Sequence, residues 1–160
     1  MTDKNENVSR LGSYMIKGLL LVSGLIAVGI AVAILFMPDA FYAGYGIDTG
    51  ANVSLANELK APAGMLLIAG LLVLAGVFTP RMTAASLAMA SLIYLSYGLS
   101  RLLSMAIDGI PHGGLVSAAM LEVFIGLVCL LAFTLSRKST FGARNVGQGD
   151  WNAPVEEIVQ

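Results

Sequence analysis

Long apolar stretches alternate along this chain with short polar breaks, and their lengths give the first structural prediction. Crossing the hydrocarbon core of a bilayer takes roughly 20 predominantly apolar residues in a helix. Four stretches have about that length, at residues 18–37, 61–78, 82–106 and 114–135. Proline, glycine and charged residues separate them, without the alternation typical of barrel strands. The pattern therefore predicts an all-α fold, an integral membrane four-helix bundle.

The polar segments complete the predicted organisation of the chain. Residues 1–17 form an N-terminal segment, 18–136 the four-helix domain, and 137–160 a polar, glycine-rich tail. A tail of that composition is expected to be flexible.

The longest connection, between the first and second spans, is predicted to form a short external loop or helix. It contains Phe41, Tyr42 and Tyr45, whose amphipathic rings suit the headgroup level of a membrane. An interfacial anchor is therefore the first interpretation of these three aromatics. A flap over an outward-facing pocket is the alternative.

Composition supports the membrane assignment and excludes several classes of function. Hydrophobic residues make up 57% of the chain and charged residues 12%, against about 25% charged in a soluble domain. The net charge of −1 offers no nucleic-acid-binding surface. With one cysteine, Cys129, and one histidine, His112, the chain lacks an intramolecular disulfide, a haem-ligand pair and metal-ligand spacing. We therefore expect no catalytic residues, no cofactor and no metal, and a membrane enzyme is the least favoured interpretation.

The basic residues predict the orientation of the chain. Of the nine lysines and arginines, all but Lys60 and Arg101 flank one side of the predicted spans. Because cytoplasmic segments are enriched in such residues, both termini are predicted to be cytoplasmic. The chain has a bacterial character, so we expect it in the bacterial inner membrane, with the lipid bilayer as its main partner.

Charged residues also occur within or beside the apolar stretches. Arg101 follows Arg81 by 20 residues, about 30 Å of helix, which places it near the outer boundary of the membrane. Asp108 lies nearly two turns further on. Glu122 lies roughly 12 Å inside the outer surface in the last span. A charge at that depth costs at least about 2.5 kcal/mol, so Glu122 must be protonated, paired or hydrated.

Helix geometry predicts that these charges meet. Side chains lean toward the N-terminus of a helix, so Arg101 leans inward from the third span and Glu122 outward from the fourth. The short connection between these spans makes them neighbours. Glu58 and Lys60 join from the outer end of the second span. We expect Arg101 at the centre of a buried or half-buried acidic ring of Glu58, Asp108 and Glu122.

Small residues recur at four-residue spacing. The pairs Ala27/Ala31 and Ala84/Ala88 favour association between helices, which allows a homo-oligomer or a larger membrane complex. Three serines, Ser96, Ser100 and Ser104, are predicted to permit close helix packing, with the lining of a groove as the alternative.

Four elements of the sequence resemble a known family. They are "MPDAFYAGYGID", "NELKAPAGMLLIAG", "YGLSRLLSMAIDGIP" and a glutamate in the last span. Together they are similar to domain-of-unknown-function family 4345, small bacterial membrane proteins akin in layout to the DoxX-like four-helix group. The most specific match comprises Gly98, Arg101, Asp108, Gly109 and Pro111.

The resemblance covers about residues 18–137. Glu58 matches a Glu-Leu-Arg element of the family, whereas Lys60 replaces its usual arginine and loses the bidentate fork. The resemblance implies the fold and leaves the function open.

Two functions stay open at this point. The first is an accessory or structural membrane protein, in which the charge cluster clamps the helices in register. The alternative is a protein that binds or transports a small lipophilic or anionic ligand, or a lipid headgroup, in an outward-facing pocket at that cluster.

Overall fold

The structure, a computed structural model, describes residues 2–50 and 52–147, with side chains in the ranges 10–50 and 52–137. All regular structure in these residues is helical. The α-helices are α1 (Thr2–Phe36), α2 (Pro38–Ala43), α3 (Val53–Phe78), α4 (Thr83–Asp108) and α5 (Gly113–Gly147). The long helices α1, α3, α4 and α5 are long and apolar enough to cross a membrane. The predicted all-α membrane bundle is confirmed, with α2 as the short helix between the first two spans.

Three helices extend well beyond the predicted spans, and one of them, α3, already begins at Val53. α1 includes almost all of the predicted N-terminal segment 1–17, and α5 continues through Gly147 into the predicted tail. The first part of that tail is therefore helical, and the flexibility expected from its composition stays a prediction. The prediction for residues 148–160 lies outside the described residues.

Specific residues set the boundaries of the helices. Pro38 occupies the first turn of α2, where its missing N–H is not needed. The side chain of Asn52 caps α3 by accepting a hydrogen bond from the backbone N–H of Leu55 at 3.1 Å. α4 ends at Asp108, and the capping residue Gly109 has a φ of 101°, which is strained for any residue with a Cβ.

The long helices form two tightly packed pairs. α1 packs mainly against α3, and α4 mainly against α5. Glycines allow the close approach in both pairs. A Cβ on Gly70 of α3 would lie 3.1 Å from the backbone nitrogen of Val28 in α1, and one on Gly98 of α4 would lie 3.0 Å from that of Val123 in α5.

The two pairs are joined most closely near the turn between α3 and α4. There the hydroxyl of Thr83 donates to the carbonyl of Gly76 at 3.1 Å, and that of Ser86 donates to the carbonyl of Leu72 at 2.8 Å. The main buried cluster, which includes Leu20, Val73, Leu87 and Cys129, fills this half of the bundle.

Candidate ligand cavity

A cavity lies between the two helix pairs in the half of the bundle that carries α2. Its volume is about 210 Å³. Every α-helix of the described chain contributes to the wall, so the cavity is a property of the whole bundle. The lining residues are mostly aliphatic or aromatic and include Ala27, Ile30, Ala63, Leu66, Ile93 and Ala118.

Two tyrosines of α4 line the cavity at successive levels. Tyr94 is buried, and its hydroxyl donates to the carbonyl of Ser23 in α1 at 2.6 Å. This hydrogen bond ties α4 to α1 across the two helix pairs. Tyr97 lies one turn further along α4 and contributes to the same wall.

The aromatic residues of α2 and the following turn line the cavity at the end of the bundle. The rings of Phe41 and Tyr42 pack edge to face, with centroids 5.2 Å apart, and those of Phe41 and Tyr45 lie 5.5 Å apart. The hydroxyl of Thr49 donates to the carboxylate of Asp39, which holds the turn against α2. These three aromatics therefore form part of the cavity wall, and both the anchor and the flap interpretation of them stay predictions.

Tyr42 adds a neutral polar group to that wall. Burial raises the pKa of the Tyr42 phenol, and the positive charge of Arg101 opposes the shift. The net direction is upward, so the phenol stays protonated at neutral pH and keeps its O–H donor.

The polar end of the cavity is an ion pair between α4 and α5. Nε of Arg101 donates to Oε2 of Glu122 at 3.0 Å, and the side chains are 35% and 14% exposed, respectively. Both residues line the cavity. The expected meeting of Arg101 with Glu122 is therefore present in the structure.

The other members of the expected ring lie elsewhere. Asp108 is exposed and accepts a hydrogen bond from the hydroxyl of Ser104 at 2.9 Å. Glu58 is exposed and Lys60 is half-buried on α3. Within the described residues, Arg101 forms an ion pair with Glu122 and with no other acid. The geometry thus reduces the ring to one pair, because Glu58 and Asp108 are exposed near the ends of their helices and form no ion pair with Arg101.

A second, more open depression runs along the outside of α4 toward the turn before α5. This groove has a volume of about 660 Å³ and is lined in part by Ser100, Ser104 and Asp108. Ser96, Ser100 and Ser104 are all exposed, so none of them serves close helix packing within this chain, and two of the three line the groove. Tyr97, Arg101 and Leu115 line both the groove and the cavity. These three side chains are therefore the partition between the two spaces.

The tyrosines of α4 are the site residues that sequence reasoning missed. Tyr94, Tyr97 and Arg101 are spaced i, i+3 and i+7 in "YLSYGLSR", the spacing of one helix face. The spacing of these three residues is visible in the sequence alone.

Among the described residues, no group of three His, Cys, Asp or Glu side chains is close enough to hold a metal ion.

Comparison with known proteins yields one family. The sequence profile of a family described as Domain of unknown function (DUF4345) matches residues 15–133. This range includes α2, α3 and α4, most of α1 and α5, the cavity and the Arg101–Glu122 pair. No match was found among curated proteins or among solved structures.

Proposed function

We propose that this chain, which belongs to the DUF4345 family, binds a small amphipathic molecule in the cavity between its helix pairs. The observation that carries the proposal is the chemistry of the wall. A largely apolar cavity with a few convergent polar groups is the usual form of a small-molecule site. Here the polar groups are the Arg101–Glu122 pair and the tyrosines beside it.

The arrangement orients a ligand with two unlike ends. Aliphatic side chains such as Ile30, Leu66 and Ile93 surround the inner part of the cavity and suit an apolar body. Arg101 lies at the partition with the groove, where a polar head would meet hydrogen-bond donors. The groove, which includes Ser100, Ser104 and Asp108 in its lining, offers a route from the surface to that head.

The cellular setting is part of the proposal. The excess of lysine and arginine beside one end of the spans supports a bacterial inner-membrane protein with both termini in the cytoplasm. In that orientation the cavity and the groove lie in the outer half of the membrane. The ligand would reach the site from the outer leaflet or from the space outside it.

An accessory role in a homo-oligomer or larger complex is less well supported. Ala27 and Ala31, one of the small-residue pairs that favoured association, are 3% and 0% exposed within the chain. They pack in a buried cluster with Leu66 of α3, so this pair is not available to a partner. Ala84 is exposed and keeps that option open for α4.

A substitution that fills the cavity tests the proposed function. Ala63 lines the cavity and is buried, so Ala63→Leu places additional methyl groups in the binding space. Ala61 is exposed on the same helix, and Ala61→Leu is the matched control. The probes are 4-methylbenzyl alcohol, 4-methylbenzoate and 4-methylbenzylamine, which share one ring and differ in their head. Dissociation constants are measured by calorimetry on protein in nanodiscs.

We expect at least one probe to bind the wild type and Ala61→Leu alike, and to bind Ala63→Leu about tenfold more weakly or worse, because the occupied volume is no longer available. Partitioning into the bilayer is the same for all three proteins and cancels in the comparison. Equal binding of every probe by wild type and Ala63→Leu would overturn the proposed function.

A further inference from the structure

We infer that Glu122 makes this cavity selective for an uncharged ligand that carries a hydroxyl or a similar hydrogen-bonding head on a body of about one ring. The inference rests on the proposed function and specifies the ligand class of the same site. It follows from the charge, the free donors and the volume of the cavity.

The charge of the cavity wall is balanced. Arg101 and Glu122 are the charged side chains among its lining residues, and they pair at 3.0 Å. An anionic head that approached Arg101 would lie beside the carboxylate of Glu122 and be repelled by it. A cationic head at Glu122 would meet Arg101 in the same way. Because each charge is already compensated, an ionised ligand gains little and loses its hydration.

The ion pair nevertheless keeps groups for a neutral head. A guanidinium has five N–H donors, and the described structure uses only the one on Nε of Arg101. The carboxylate of Glu122 accepts that bond on Oε2, which leaves Oε1 available as an acceptor within the described contacts. A hydroxyl can accept from an Nη of Arg101 and donate to Glu122 at the same time, without breaking the pair.

The volume sets the size of the part of the ligand that is enclosed. A cavity of about 150 Å³ with apolar walls binds benzene. The cavity here, at about 210 Å³, has room for one ring with short substituents, or about eight to ten non-hydrogen atoms. The aromatic side chains Phe41, Tyr42 and Tyr97 line the cavity and can pack against such a body.

The head-group series tests the inference on the wild-type protein. We expect 4-methylbenzyl alcohol to bind about tenfold or more tightly than either 4-methylbenzoate or 4-methylbenzylamine, because the paired charges of the wall attract neither ionised head, and each ionised head loses its hydration on entering the cavity. For each probe, binding that is lost in Ala63→Leu is assigned to the cavity, and binding that remains in this variant is not. This ranking needs no substitution at the ion pair itself.

Removal of either charge should redirect the selectivity. Glu122→Gln leaves Arg101 uncompensated, so the variant is expected to bind 4-methylbenzoate about tenfold or more tightly than the wild type does. Arg101→Gln leaves Glu122 uncompensated and is expected to favour 4-methylbenzylamine instead. A purely structural ion pair would weaken all three probes together.

The outcomes separate the two proposals. If the wild type binds 4-methylbenzoate or 4-methylbenzylamine as tightly as the alcohol in an Ala63-dependent manner, the inference of a neutral ligand is wrong and the proposed function stands. If no probe distinguishes wild type from Ala63→Leu, the proposed function fails and the inference fails with it. Should Glu122→Gln not fold, the wild-type ranking still decides the question.

Discussion

Arg101 and Glu122 depend on each other at the residue scale. Glu122 is 14% exposed and lies on an apolar helix, where an isolated charge is costly. Its partner is on a neighbouring helix, 21 positions away in the sequence. The pair therefore combines two roles, since it fastens α4 to α5 and also forms the polar end of the cavity.

A double-mutant cycle measures the structural part of that role. Arg101→Gln and Glu122→Gln are each expected to lower the free energy of unfolding by about 1–3 kcal/mol, because each leaves a partly buried charge without its partner. The double variant should lose less than the sum, with a coupling of about 0.5–3 kcal/mol. Denaturant titration in mixed micelles, followed by circular dichroism, gives the four values.

Asp108→Asn is the control for this cycle. Asp108 is exposed and bonds to Ser104 on its own helix, so its substitution is expected to change the stability by no more than about 0.5 kcal/mol. Additive losses for Arg101 and Glu122, or a coupling of Arg101 to Asp108 of similar size, would contradict the pairing described here.

At the scale of elements, glycines decide how closely the helices approach. α4 and α5 meet at Gly98, where an added Cβ would lie 2.7 Å from Cγ2 of Val123, 3.0 Å from its backbone nitrogen and 3.3 Å from Cβ of Glu122. The third neighbour is the residue that pairs with Arg101. The spacing of these two helices thus sets the geometry of the ion pair one turn away.

Gly98→Ala should separate the two helices. We expect a loss of about 1–3 kcal/mol in the free energy of unfolding, because the backbone of α5 cannot move aside as a flexible side chain can. Gly64→Ala in α3 is the matched control, since nothing lies within 4 Å of its added Cβ. That variant is expected to be neutral or stabilised by up to about 1 kcal/mol. Equal effects of the two substitutions in the same unfolding assay would refute the close approach at Gly98.

At the scale of the whole molecule, the two halves of the bundle differ in packing. The half near the turn between α3 and α4 is packed with buried side chains. The half that carries α2 is hollow, because it contains the cavity. The packed half holds Leu20, Val73, Leu87 and Cys129. The hollow half holds the cavity and the turn from α2 to α3. Which side of the membrane the hollow half faces determines which ligands reach it.

Site-specific labelling tests the proposed orientation. Cys129 is buried and is replaced by alanine to give a cysteine-free parent. Asp48→Cys and Thr79→Cys then place single exposed thiols at opposite ends of the bundle. In bacterial spheroplasts, a membrane-impermeant maleimide is expected to label position 48 directly and position 79 only after permeabilisation. The reverse pattern would place the cavity in the cytoplasmic half, and the cysteine-free parent reports background labelling.

The sequence by itself determined the four spanning helices of this protein and the positions from which Arg101 and Glu122 reach each other. Apolar stretches of the length of a bilayer specify spanning helices because the backbone must satisfy its own hydrogen bonds in lipid. The opposite lean of Arg101 and Glu122 on antiparallel neighbours follows from helix geometry and a short connection. Pro38 and Gly109, at the ends of helices, act through local backbone constraints that the sequence also displays.

Only the tertiary structure decided the cavity and its partners. Glu58 and Asp108 were expected beside Arg101 from their level in the membrane, yet level does not fix the rotation of a helix, and both carboxylates lie exposed. The cavity exists because close contacts at Gly70 and Gly98 join the helices in two pairs, while contacts between the pairs are strongest at the opposite end. A cavity remains where the facing surfaces of packed helices do not fill the space between them. Its position therefore depends on contacts between residues distant in sequence, which no single stretch of sequence encodes.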